Sequence, residues 1–219
     1  MHFEVPKSGL KTVKEFLGEY AMIVVSILTA LALEHAAQSW HHNHRARNAE
    51  QNIEAELRHN LKELQKATMA NAAELKQLET QRVALRMAIK GGNEEKDSFN
   101  KLMSETKTFG LAMESPVLRR EAWEVAVASQ AASWMTPEKL QRYSGLYSAQ
   151  KDTVDSVTIN MQTMLNGPAM LNAISDAELG KLDSKELYHT LRQMHGAVQG
   201  VQSNLLKLER EMKEALART

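Results

Sequence analysis

Cysteine is absent from this chain of 219 residues, which excludes disulfides, thiolate metal sites and cysteine nucleophiles. Its absence fits either side of a bacterial inner membrane and fixes no compartment. Proline and glycine are scarce, 4 and 10 residues, so long helices meet few breakers. Neither charge sign dominates: Lys+Arg and Asp+Glu both number 27. That balance gives no reason to expect a nucleic-acid partner, which would require a basic face. Catalytic motifs are missing as well. There is no P-loop, G-x-G-x-x-G, G-x-S-x-G or H-E-x-x-H, so a non-enzymatic protein without a cofactor is expected.

What is present favours helix. Ala, Leu, Glu, Lys, Gln and Met abound, and β-branched residues gather in one opening stretch instead of alternating as strands do. The expected class is all-α. The dominant signal is "EYAMIVVSILTALALEHAAQSWHHNHRAR", residues 19–47. Its uninterrupted apolar part, Tyr20 to Leu33, is 14 residues, about 21 Å of helix. That length alone suits a core helix or a signal peptide better than a membrane span. The flanks tip the balance toward a span. Phe16 and Leu17 extend the run on one side, Ala36 and Ala37 on the other. Tyr20 and Trp40 stand about 30 Å apart along a helix, the separation of two interfacial aromatics. Glu19 and Glu34 fall near the edges, where a carboxylate reaches water at modest cost. A transmembrane helix over 16–40, after a short N-terminal tail at 1–15, is therefore the preferred reading.

A cleavable signal is the alternative. Lys7, Lys11 and Lys14 form a basic n-region and Ala30-Leu31-Ala32 an A-x-A site. Against it, helix-favouring residues continue past Ala32, so cleavage would cut inside a helix. The three lysines before the span and Arg45 and Arg47 after it nearly balance. The short tail favours a cytoplasmic N-terminus in the bacterial inner membrane, with residues 41–219 forming a periplasmic helical bundle.

Beyond Trp40 the helical period persists. Leu57, Leu61, Leu64, Thr68, Asn71, Leu75, Leu78, Arg82, Leu85 and Ile89 follow 4,3 spacing, a coiled-coil-like seam interrupted at Thr68, Asn71 and Arg82. Without Pro or Gly between Gly18 and Gly91, span and seam read as one helix of about 70 residues, about 105 Å. Further helices are expected at about 93–108 with Asn93 as cap, and at 115–130 from Ser115-Pro116. Two more are expected at 136–166 from Thr136-Pro137 and at 183–217 from an Asp183/Glu186 capping box. A short capped turn is expected at Ser175 to Glu178. The last helix repeats cleanly through Leu187, Leu191, Met194, Val198, Val201, Leu205, Leu208 and Met212. Short loops between consecutive helices predict antiparallel packing.

"LGEYAMIVVSILTALALEHAAQSW" resembles the N-terminal span of a family of short, uncharacterised bacterial single-span membrane proteins. In that family a Gly-Glu pair precedes a Val/Ile-rich run ending in Ala-Leu and then Trp. The matching positions are Gly18, Glu19, the run through Ile27 and Leu28, Ala30-Leu31 and Trp40. "EHAAQS" stands here where the family has an Asn-rich stretch. "AWEVAVASQAASWMTPEKLQRYSGLYS" is similar to the family's second block, an aromatic-bearing helix, a loop and a helix with spaced tyrosines. The resemblance implies a single-pass helical bacterial protein and brings no chemistry.

Two constellations remain. His41, His42 and His44, with His35 before them, include an i,i+3 pair, His41 and His44, that could hold one Zn²⁺; no third ligand stands at obvious spacing. The plainer reading places Tyr20, Trp40, His41, His42, His44, Arg45 and Arg47 at the membrane interface among lipid headgroups. Glu19, Ser26, Ala30, Glu34 and Ala37 lie within about 80° of one another on a helix. That stripe is either a helix–helix contact face or chance placement, with the two acids marking the bilayer edges. Gly196 and Gly200 form a G-x-x-x-G expected to mark close packing against a neighbouring helix. Trp123, Trp134, Tyr143 and Tyr147 are expected as core anchors. The function expected is a membrane-anchored scaffold, accessory or oligomerising protein, whose partners are the lipid bilayer and a second copy or another membrane protein. The alternative is a membrane-anchored sensor that binds a metal or small ligand through the juxtamembrane histidines or the bundle interior.

Overall fold

The computed structural model describes residues 13–91, 97, 112–165, 171–172, 175–176, 179 and 183–217. Among them the chain is all-α. Helix α1 spans Val13–Lys90, 78 residues and about 117 Å without a break. An extended strap, 112–120, leads into the short helix α2, Glu121–Ala128. A 3₁₀ turn follows at Ala131–Trp134, then α3, Pro137–Leu165, and α4, Ser184–Ala217.

The termini follow from local chemistry. Thr136 caps α3, its Oγ1 accepting the Lys139 N–H at 3.4 Å and its carbonyl the Leu140 N–H at 2.9 Å. Asp183 caps α4, its Oδ1 accepting the Lys185 N–H at 3.2 Å. At Ser175 the Leu179 N–H closes one turn on the Ser175 carbonyl at 3.1 Å. The helix expected at 93–108 lies outside the described residues apart from Asp97.

Two helix pairs run antiparallel, α1 with α4 and α3 with α4, although neither pair is joined by a short loop. On α1 and α4, Glu209 Oε2 accepts from Thr68 Oγ1 at 3.3 Å, while His195 Nε2 lies 3.5 Å from Glu79. On α3 and α4, Asn204 Nδ2 donates to Ser156 Oγ at 3.0 Å. Helix α3 instead runs parallel to α1: Lys139 meets Glu50 at 2.6 Å and Gln150 meets Asn60 at 3.1 Å. The strap causes this, because it carries the chain back along α1 before α3 begins. A core of Ile53, Leu57, Leu64, Tyr143, Val157, Leu205 and Met212 fills the three-helix part, and Leu78, Leu85, Leu187, Leu191 and Met194 join α1 to α4 farther along.

The α1 seam differs in phase from the expected one. Leu57, Leu64, Asn71, Leu78 and Leu85 are buried as expected, but their companions are Asn60, Ala67, Glu74, Gln81 and Ala88. Leu61, Leu75 and Arg82 are only half-buried and Ile89 is exposed. Arg82 stays at the edge of the seam, its guanidinium held bidentately by Glu79 at 2.7–2.9 Å. Thr68 stays buried; its hydroxyl reaches the Gln65 carbonyl at 3.0 Å.

Two further expectations are corrected. The helix read as starting at Ser115-Pro116 starts at Glu121, with Pro116 buried inside the strap. Gly196 and Gly200 face outward, and a Cβ at either would meet nothing within 4 Å, so they mark no close approach to a neighbouring helix.

Candidate functional site

The apolar run lies at the N-terminal end of α1, which is long and apolar enough to cross a membrane. None of its most apolar 18-residue window is buried. On this segment Glu19, Ser26, Ala30, Glu34 and Ala37 are all exposed. The Ser26 hydroxyl donates to the Met22 carbonyl and the Thr29 hydroxyl to the Val25 carbonyl, each at 2.8 Å. Both are thus satisfied within their own helix, which removes the cost of placing them in an apolar medium. Glu34 Oε1 accepts from Gln38 Nε2 at 3.2 Å.

One turn beyond, α1 sorts its histidines onto different flanks. The exposed Trp40 takes His41 edge-on at 5.1 Å and stacks on His44 at 5.7 Å between centroids. His42 points the other way, stacked at 3.7 Å and 12° on Trp134 of the 3₁₀ turn. Among the described residues no group of three His, Cys, Asp or Glu is placed to hold a metal ion. Tyr20, His35, Arg45 and Arg47 are exposed. Arg45 opens a groove of about 510 Å³ between α1 and α2, lined also by Asn48, Asn52, Glu121 and Val125. Trp134 is therefore not the core anchor expected of it. Trp123 is half-buried against Tyr147 at 5.6 Å, and Tyr143 and Tyr147 are buried as expected.

Sequence reasoning missed the arrangement that holds these parts together. On α1, Glu56, Asn60, Asn71 and Glu74 lie within about 60° of one another and face the strap. Asn60 Oδ1 accepts the Arg119 N–H at 2.9 Å and its Nδ2 donates to the Arg119 carbonyl at 2.7 Å. Asn71 treats Glu114 alike, at 2.8 and 2.9 Å. The two asparagines are 11 residues apart on a helix, and Glu114 and Arg119 five apart on an extended chain. Both separations come to about 16.5 Å, so the two side chains act as the neighbouring strand the strap lacks. Pro116, between them, has no N–H to satisfy.

Gln150 joins from α3, donating to the Arg119 carbonyl at 2.8 Å and accepting from Asn60 at 3.1 Å. Glu56 closes the row. Its Oε2 accepts the Ala122 N–H at 2.9 Å and its Oε1 the Tyr147 hydroxyl at 2.5 Å. Burial and the Glu56 carboxylate together push the Tyr147 phenol up, and burial with Glu54 and Glu50 pushes Tyr143 up to about 12. At the far end burial raises the Glu74 carboxyl above the usual range, partly offset by the Ala112 N–H, which donates to it at 3.3 Å. A polar residue inside a leucine seam, repeated eleven positions on, was the one sequence signal of this row. Comparison with known proteins gives no family model, curated protein or solved structure that matches this chain.

Proposed function

We propose that this protein is a membrane-anchored helical scaffold or accessory subunit that acts by protein–protein contact, with itself or with another membrane protein. The observation that carries the reading is the exposed apolar end of α1, continuous with the bundle. An apolar helix end of this size is costly in water and suited to lipid tails. Because no Pro or Gly interrupts α1 after Gly18, whatever the span binds is coupled rigidly to the bundle. The proposed location is the bacterial inner membrane, N-terminus cytoplasmic, bundle periplasmic, and the family proposed is that of single-span bacterial proteins. Crosslinking in native membranes, with identification of what is captured, tests it. A captured second copy or membrane protein supports the reading; recovery of the intact chain in the aqueous fraction overturns it.

A second reading, a sensor of a small ligand, has the groove beside Arg45 in its favour, about 510 Å³ with Asn48, Asn52 and Glu121 on its walls. Its metal-sensing form would use His41 and His44, and zinc binding abolished by His41→Ala and His44→Ala together would support it.

A further inference from the structure

Trp134 is half exposed, at 50%, on a turn that is otherwise well anchored. Ala131, Ala132 and Met135 are buried around it. Gln130, in the left-handed region at φ 61°, leads into the 3₁₀ turn. The indole is thus held outward by a built corner.

Its level along the molecule is fixed by His42, on which it stacks at 3.7 Å. His42 and Trp40 are two residues apart on α1, about 3 Å along the axis and about 200° around it. Trp134 and Trp40, 94 positions apart in sequence, therefore stand at one depth on opposite flanks of the same helix. Trp40 is 65% exposed. Residues 125–137, "VAVASQAASWMTP", contain no charged side chain, and Val125 and Val127 are exposed at 64% and 52%. Arg45 and Arg47 lie exposed just beyond on α1, placed for phosphates.

We propose that the turn 130–134 is a second membrane contact, in which Trp134 enters the headgroup–acyl boundary of the bilayer that α1 crosses. The proposal rests on the anchoring reading above. An indole there buries its apolar body and keeps its N–H wet, and a charge-free stretch approaches the interface at little desolvation cost. Two indoles on opposite flanks seat the bundle on the membrane at a set angle, where α1 alone would leave it free to lean.

The test uses the full chain in phospholipid vesicles carrying bromine at shallow acyl positions, which quenches nearby indoles. Three double Trp→Phe variants leave Trp40, Trp123 or Trp134 alone. Trp134 and Trp40 are expected to be quenched alike, each about threefold more than Trp123, which stacks on Tyr147 level with Glu56, about 20 Å farther along α1. Strong quenching of Trp40 with Trp134 no different from Trp123 overturns the second contact and leaves the span intact. No quenching of any indole overturns the anchoring and this inference together. As a check that spares the indoles, Ser133→Cys carries a spin label in this cysteine-free chain. Relaxation there by oxygen, as against a water-soluble nickel complex, is expected to exceed that at Ser144→Cys on α3. Equal accessibility at the two sites counts against the proposal.

Discussion

Asn60 holds both backbone groups of Arg119, accepting its N–H at 2.9 Å and donating to its carbonyl at 2.7 Å, across 59 positions of sequence. With Asn71 on Glu114, it replaces a β-ladder by two side-chain amides on a helix. Alanine at 71 takes the partner from both backbone groups of Glu114, and alanine at 60 takes it from the Arg119 N–H while Gln150 still donates to the Arg119 carbonyl. Each of Asn60→Ala and Asn71→Ala is expected to lower stability by about 2–4 kcal/mol in urea unfolding. Amide exchange at Arg119 or Glu114 should accelerate in step. A loss under about 0.5 kcal/mol would mean that water replaces the amide without penalty.

Glu74 sets a pH dependence whose sign is fixed by burial. Its folded carboxyl titrates above the ordinary value of 4.5, so between the two pKa values the folded state holds the proton more often than the unfolded. Stability is therefore expected to fall as pH rises through that window, and to be lower at neutral pH than at mildly acidic pH by this group's share. Glu74→Gln keeps an acceptor for the Ala112 N–H and removes the titration. Its unfolding midpoint should exceed that of the parent at pH 7, with the gap closing on acidification. An unchanged gap would place the carboxylate in water.

Gly196 and Gly200 have open space where a Cβ would stand. Alanine at each should stabilise α4 by about 0.5–1 kcal/mol through backbone propensity alone. If the pair instead met a second copy, the same substitutions would weaken an oligomer, visible as a concentration-dependent drop in sedimentation coefficient.

Glu19, Ser26, Ala30, Glu34 and Ala37 make one narrow stripe along the apolar end of α1. Single cysteines at Ser26 or Ala30 should crosslink in membranes under oxidation, and cysteines at Val24 or Leu28 should not. Equal yields at all four positions would reduce the stripe to chance.

Local sequence was enough for everything that depends on neighbours one or two turns away. Leu187 through Met212 announced α4, Thr136-Pro137 and Asp183 marked helix starts, and the run from Tyr20 to Leu33 stood out by composition. Helical period and capping are written in adjacent residues, and α1 needed only a long run free of Pro and Gly after Gly18. The strap was beyond that reach. Ser115-Pro116 has the chemistry of a helix start, yet 112–120 is extended because Asn60 and Asn71 satisfy its backbone from another element.

The same distant contact decided the phase of the α1 seam. Leucines 61 and 75 outrank Asn60 and Glu74 by transfer free energy. Burying the polar pair becomes affordable once the strap supplies donors and acceptors. It also decided that α3 runs with α1, and that Trp134 comes to lie on His42. Sequence alone determined that the chain is helical and where its apolar end lies. Tertiary structure decided which polar groups could leave water, since a buried amide needs a partner that no local pattern can promise.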